Sequence, residues 1–335
     1  GLRKEVATVL PKVRAWSYTT KRGDIAELPG IGEQDPVWPW VTSTRENCLG
    51  ADCPKFEECY VLAARREAQA ADIVVVNHYL LMADLVLKEE GFSDLLPGAD
   101  AIVIRHSSSG APLTLTRWVR GSVLNAGDGT HEHPTQALLD LYTIRKEVQH
   151  RGGSIDGLRI AMIGDLRFGR TVHSLSKLLA SFDRVHLTCI APAELRMPGE
   201  IVETLRSRGH TVVESDVMEA SIGHVDIAYS TRIQEERFAS KAEANLYRGR
   251  YRLNQAIYTQ YCEPNTVIMH PLPRDSRAEA NELDPDLNEN PNLAIFRQTD
   301  NGVLVRMALF ALVLDVVHLV ERYEAPVSWY TGKRF

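Results

Sequence analysis

The sequence predicts an α/β fold: two domains built on parallel sheets with helices on both faces, preceded by an atypical stretch of mixed helix and loop. Three observations carry this. Beyond Pro97, short β-branched runs alternate with helix-forming runs, the pattern of a mostly parallel sheet. Hydrophobic residues make up 44% and charged residues 24% of 335, the balance of a packed chain rather than a disordered, collagen-like or bilayer-spanning one. The most chemically informative residues stand at the ends of the predicted strands, where ligands gather in such sheets.

In chain order, residues 1–40 are mixed, and Pro29, Gly30, Gly32, Pro36 and Pro39 predict a loop in their second half. Helix formers fill 54–71, the β-branched run 72–78 has the length of a buried strand, and a helix is expected over 79–89. Strands follow at 101–106, 122–128, 158–165, 184–190, 211–215, 225–230, 266–270 and 294–298. Helices are expected at 133–148, 171–181 and 199–208, with a closing apolar helix at 303–320. That last run carries Arg306, Asp315 and His318, so it reads as a buried helix and not a membrane span.

Net charge is −6: residues 1–98 hold 11 basic and 15 acidic side chains, and 99–335 hold 27 and 29. Neither part has the basic excess of a nucleic-acid footprint, so an anionic ligand must be met by a few aimed groups. Five cysteines without a signal peptide point to a reducing, cytoplasmic setting. Cys189, in an apolar strand, and Cys262 read as packing residues. His173 reads as a helix-face residue.

Five strand ends carry Arg, His, Gln or a proline-fixed turn: Arg105 and His106, then 125–133, 164–170, 231–234 and 270–274. One arginine at a strand end is ordinarily a solvated loop or surface ion pair. Five such ends imply converging guanidiniums, which bind carboxylate and phosphate bidentately, and hence a small, multiply anionic substrate or substrate pair. His133 opens a helix, where an imidazole can donate to a substrate oxygen beside the positive first turn. No GxSxG, HExxH, GxGxxG after a strand or GxxxxGK[ST] occurs. A transfer driven by positioning and electrostatics, with no cofactor, fits this inventory.

The strings NAGDGTHEHPTQALLDLYTI, GDLRFGRTVHSL, TRIQEERF, HPLPR and IRHSSSGAP, spread from about Ala99 onward, resemble the catalytic chain of aspartate carbamoyltransferases. The resemblance implies carbamoyl transfer from carbamoyl phosphate to L-aspartate, a step of pyrimidine biosynthesis. It implies that Arg105, His133 and Gln136 contact carbamoyl phosphate, with Arg105 and His133 polarising its carbonyl and the backbone at Leu272 and Pro273 completing the site. Arg170, Arg232 and Gln234 would hold aspartate. It also implies a homotrimer, joined in some members by regulatory or dihydroorotase-like chains. Arg167 stands where many relatives carry Lys. The implied domains are 101–157 with 303–325 for carbamoyl phosphate and 158–302 for aspartate. The Ser-Thr-Arg-Thr-Arg phosphate loop of that family and its neighbour-donated Ser and Lys loop are missing, which would impair activity; TSTREN at 42–47 is a coincidental string.

Residues 1–100 resemble instead bacterial damage-inducible iron–sulfur DNA helicases of the DinG type, through TSTRENCLGADCPKFEECYVLAARREAQAADIVVVNHYLL and ADLVLKEEGFSDLLPGADA. Cys48, Cys53 and Cys59 would then match three of four cluster ligands. Four-coordinate closure is the norm for structural metals, so empty thiols are weighed against a residual iron–sulfur cluster or zinc. The competing functional readings are an inactive chimera and a metal- or DNA-binding fragment.

Overall fold

The computed structural model describes residues 2–43, 47–89, 98–277, 279–320 and 322. The chain divides into two compact units, Gly1–Gly98 and Ala99–Phe335. The expected string at 44–46, most of the helicase-like tail at 90–97 and the expected domain end at 323–325 lie outside the described residues.

The first unit contains α1 (Leu2–Ser17), α2 (Trp38–Val41), α3 (Tyr60–Ala70) and α4 (His78–Glu89). Its small core is Val6, Val13, Leu28, Ile31, Val37 and Trp38. Trp16 meets Trp38 edge-on with ring centroids 6.1 Å apart, and the Trp38 indole N–H donates to the Gly32 carbonyl at 2.8 Å. The strand expected at 72–78 does not form, and Ile73 and Val75 are 83% and 91% exposed. The first unit holds no strand among its described residues, and a β-branched run without a partner edge has no ladder to join.

The second unit runs β1 (Ala101–His106), α5 (Ala111–Leu115), β2 (Ser122–Asp128), α6 (Pro134–His150), β3 (Arg159–Ile163), α7 (Arg170–Leu179), β4 (His186–Ile190), α8 (Gly199–Ser207), β5 (Thr211–Ser215), β6 (Ile227–Ser230), α9 (Lys241–Asn245), α10 (Gln255–Tyr261), β7 (Val267–Met269) and α11 (Ile295–Val313). β1 and β2 form a parallel pair, and β5-β4-β3-β6-β7 form a five-stranded parallel sheet. The α/β class with parallel sheets is therefore what the chain adopts.

Central β3 is buried on both faces, which is why its sequence is a continuous apolar run rather than an alternating one. Ile160 and Met162 look into one cluster with Ile144, Leu175, Leu179 and Leu205. Ala161 and Ile163 look into the other, with Ile190, Leu253, Tyr258 and Leu287. This is the period-2 division of a strand applied to two helical layers.

The expected strand at 294–298 is also corrected, since Ile295 opens α11, and so is the buried helix expected over 303–320, since α11 ends at Val313 and leaves Met307 and Leu312 61% and 67% exposed. A short apolar run cannot by itself distinguish a buried strand from a buried helix. The helix begins well before 303 because its polar residues are buried and bonded to α6: Gln298 to Asp140, and Asn301 to Thr143 Oγ1 at 3.0 Å. α6 also packs on α7 and β2, so it joins the two sheets.

Leu175 is fully buried between α7 and the sheet. Leu175→Ala is expected to lower the unfolding free energy by about 2–5 kcal/mol in urea titrations; a loss below about 1 kcal/mol would contradict this packing.

Candidate active site

The site grows from the C-terminal end of β2. Asp128 accepts hydrogen bonds from the Gly110 N–H at 2.6 Å, the Asn125 amide at 2.8 Å and the Glu132 N–H at 3.2 Å, and lies 3.1 Å from His131 Nδ1. Burial pushes this carboxyl up, but bonds from Asn125, Gly110 and His131 outweigh it and hold it below the ordinary carboxylate value. The turn leading to α6 is thereby pinned. Gly127 has φ +114, and a Cβ there would come within 2.9 Å of the Arg170 guanidinium carbon. Glycine thus allows Arg170 to lie against the end of β2.

His133 is the N-cap of α6, and Pro134 follows with its φ already suited to the first turn. The His133 N–H donates to Ser174 Oγ of α7 at 2.8 Å, and Ser174 and Lys177 both bond Glu132. The imidazole is 9% exposed. Burial first, then the positive charges of Arg170, Arg105 and Arg306, push it down to about 4, with Asp128 opposing. A neutral ring surrounded by cations can donate a hydrogen bond but resists taking up a proton.

Arg170 donates to the Gly129 carbonyl at 3.1 Å, and Arg237 donates to the same oxygen at 3.0 Å. Burial, then Arg105 and Arg237, lower the Arg170 value from its ordinary one. The exposed Arg105 of β1 thus acts electrostatically on both His133 and Arg170. Arg167 turns away, with a bond to the Glu194 carbonyl at 3.3 Å and its guanidinium over Phe168.

After β6, Arg232 pairs with Glu236 at 2.8 Å. The Gln234 N–H donates to Asp165 Oδ2 at 3.1 Å, tying this loop to the one after β3. Asp165 is buried, which raises it, while bonds from Phe168, Gln234 and Arg167 oppose. Glu235 is gripped by Arg248 through two 2.6 Å contacts and by Arg277, which also holds Asp275. The Arg248 bond leads in bringing Glu235 down to about 2. The loops after β6 and β7 are thereby fastened together. Beyond β7 the His270 ring accepts from the Leu272 N–H at 2.8 Å, Leu272 has φ +57, and the Leu272–Pro273 peptide is cis. Leu272, Pro273 and Arg274 line an open pocket with Asp275, Ser276, Leu283 and Pro285.

Of the predicted residues, His133 caps α6, Arg170 lies against Gly127 at the end of β2, Arg105 on β1 acts on both through its charge, Gln136 lies buried one turn along, and Arg232 and Gln234 share the loop fastened to Asp165. Cys48, Cys53 and Cys59 are free thiols strung along turns before α3. Among the described residues no group of three or more His, Cys, Asp or Glu side chains is placed to hold a metal, so the expected ligand set is not gathered. Cys189 is buried in β4 and Cys262 caps α10, both with raised values from burial. His173 is buried, its ring nitrogens facing the Thr130 and Leu166 carbonyls. Sequence reasoning missed Arg237 and the part played by Arg306. A charge inside an otherwise apolar run was the available signal for Arg306.

Two family profiles match the chain: "Aspartate/ornithine carbamoyltransferase, Asp/Orn binding domain" over 156–313 and "Aspartate/ornithine carbamoyltransferase, carbamoyl-P binding domain" over 95–146. The aspartate carbamoyltransferase catalytic subunit of Cellvibrio japonicus is 66% identical over 236 residues, 70% of each chain. That of Saccharophagus degradans is 64% identical over 237 residues, 71% of this chain and 70% of its own. Among solved structures, the catalytic subunit of M. jannaschii aspartate transcarbamoylase superposes with TM-score 0.58 at 35% identity, covering 75% of this chain and 73% of its own. The Trypanosoma cruzi aspartate transcarbamoylase in complex with carbamoyl phosphate and aspartate gives TM-score 0.61 at 30% identity, covering 77% and 80%.

His133 yields a pH prediction. The unfolded ring protonates near 6.5 and the folded one near 4, so between these values the unfolded chain binds more protons, and stability falls as pH drops through that window. NMR of the His133 ring is expected to show no titration above pH 5, whereas a midpoint near the ordinary 6.5 would refute the cationic enclosure.

Proposed function

The chain belongs to the aspartate/ornithine carbamoyltransferase family, and we propose that the site at the start of α6 performs carbamoyl transfer to L-aspartate with a defined division of labour. The activity itself, aspartate carbamoyltransferase, follows from the family match; the roles of individual residues are our reading. The observation that carries it is the placing of His133 at the N-cap of α6, its N–H held by Ser174, with the Arg170 guanidinium laid against Gly127 at the end of β2.

In this reading Arg105 and His133 donate to the carbonyl oxygen of carbamoyl phosphate, Gln136 and the backbone at Leu272 and Pro273 bind the carbamoyl end, and the first-turn N–H groups of α6 add positive potential. Arg170, Arg232 and Gln234 hold the two carboxylates of aspartate. Its uncharged amine adds to the carbonyl carbon, charge builds on the carbonyl oxygen, and the tetrahedral intermediate collapses as the C–O bond breaks and phosphate leaves with the electron pair, its oxygen taking up the proton that the amine nitrogen sheds. A neutral His133 suits this step, because it stabilises the developing oxyanion by hydrogen bonding without surrendering a proton to it. Arg232 is already paired with Glu236, so aspartate binding exchanges that partner for a substrate carboxylate.

The matched part of the carbamoyl phosphate domain, 95–146, lies downstream of where the family's Ser-Thr-Arg-Thr-Arg loop would stand, so turnover is expected to be weak. We place the protein in the cytoplasm as a homotrimer, open to association with regulatory or dihydroorotase-like chains. No helix among the described residues is long and apolar enough to cross a membrane. The cysteine strings support kinship of 1–98 with iron–sulfur helicases, but the ungathered thiols support a segment without cluster or zinc, and the transfer calls on no cofactor in this reading.

Two measurements follow. Purified chain is expected to form N-carbamoyl-aspartate, and Arg232→Ala to raise the aspartate KM by roughly 10- to 100-fold, the loss of a charged hydrogen-bond pair; product formation indifferent to that change would overturn the assignment. Anaerobically purified protein is expected to be colourless, with iron and zinc well below one equivalent, and stoichiometric metal would contradict the reading of Cys48, Cys53 and Cys59.

A further inference from the structure

We infer that Asp140, in the middle of α6, is a positioning residue for the carbamoyl end of the site, setting the Gln136 amide directly and the His270–Leu272 backbone through Gln298. The inference rests on the functional reading above. Asp140 is completely buried, and three neutral groups donate to it: Gln136 Nε2 at 2.9 Å, Gln298 Nε2 at 2.6 Å and Tyr229 OH at 2.7 Å. Burial pushes the carboxyl up to about 6, against the bonds from Tyr229, Gln298 and Gln136. A carboxyl in such a place is costly for packing alone, since an apolar side chain would fill the space without desolvation.

What the carboxyl does is orient. A carboxyl oxygen accepts, so each amide facing it must present its NH2 and turn its carbonyl elsewhere. For Gln298 the carbonyl goes to the His270 N–H at 3.1 Å, and His270 Nδ1 then accepts from the Leu272 N–H at 2.8 Å. For Gln136 the NH2 is committed to Asp140, so the end it offers a ligand is the acceptor Oε1. Both amides meet the same oxygen, Oδ1, one from α6 and one from α11. One atom therefore fixes two elements that flank the proposed carbamoyl position. An acceptor from Gln136 suits the NH2 of a carbamoyl group, whereas inorganic phosphate places no group at the carbamoyl position for it to meet.

That asymmetry supplies the test. Calorimetry on the full chain would compare phosphonoacetamide, a stable carboxamide-bearing analogue of carbamoyl phosphate, with inorganic phosphate. Asp140→Leu is expected to weaken phosphonoacetamide roughly tenfold, the cost of one misdirected hydrogen bond, while phosphate affinity stays within about threefold. Asp140→Asn, whose Oδ1 can still receive both amides while Nδ2 donates to Tyr229, is expected to retain affinity, as is Tyr229→Phe, which removes only the third donor. Should Asp140→Leu fail to fold, Gln298→Leu severs only the branch to His270 and is expected to show the same selective loss. Equal weakening of both probes, or of neither, overturns the positioning role. If the unaltered chain binds neither probe, the functional reading falls first and the positioning role with it.

Discussion

Several like charges held against one neutral imidazole is the constraint around which the second unit is arranged. The positive charges of Arg105 on β1, Arg170 on α7 and Arg306 on α11 all bear on His133, and Arg105 and Arg237 bear on Arg170 as well. The protein holds them with backbone oxygens and with carboxylates placed around the rim. Gly129 offers its carbonyl to Arg170 and Arg237, while Asp128 is consumed in shaping the turn. Glu235 and Glu236 occupy arginines of the outer loops. Positive potential therefore remains where an anionic substrate can use it.

The parallel sheets make this possible by bringing strand ends to one side, and α6 makes it coherent. Its N-cap is the imidazole, its second turn carries Asp140, which meets Gln298 of α11, and its later turns meet Asn301 and Arg297. A change deep in this helix pair thus bears on the loop after β7, where Gln298 accepts from the His270 N–H and the His270 ring from the Leu272 N–H.

Much of this was legible in the sequence. The strands of the five-stranded sheet announce themselves because the runs 160–163, 227–229 and 267–269 are buried on both faces and carry no charged residue. The strand-end arginines could be read because five strand ends carry Arg, His, Gln or a proline-fixed turn together, where any one alone would be an ordinary surface residue. The runs 72–78 and 294–298 misled because strand formation depends on a partner edge and helix continuation on buried polar contacts, neither of which is local. Gln298 and Asp140 were invisible for the same reason: their significance lies in one shared oxygen between residues 158 positions apart. The three cysteines show the converse, a sequence spacing that looks like a ligand set and a local structure of successive turns that does not gather it.

The central claim is that the groups around His133 form one substrate-binding site, and binding of the bisubstrate analogue N-(phosphonacetyl)-L-aspartate tests it most directly. Calorimetry with a crystal structure of the complex is predicted to show one analogue per chain, its phosphonate end near Arg105 and His133 and its carboxylates on Arg170 and Arg232. No measurable binding, or an analogue seated away from His133, would contradict the account.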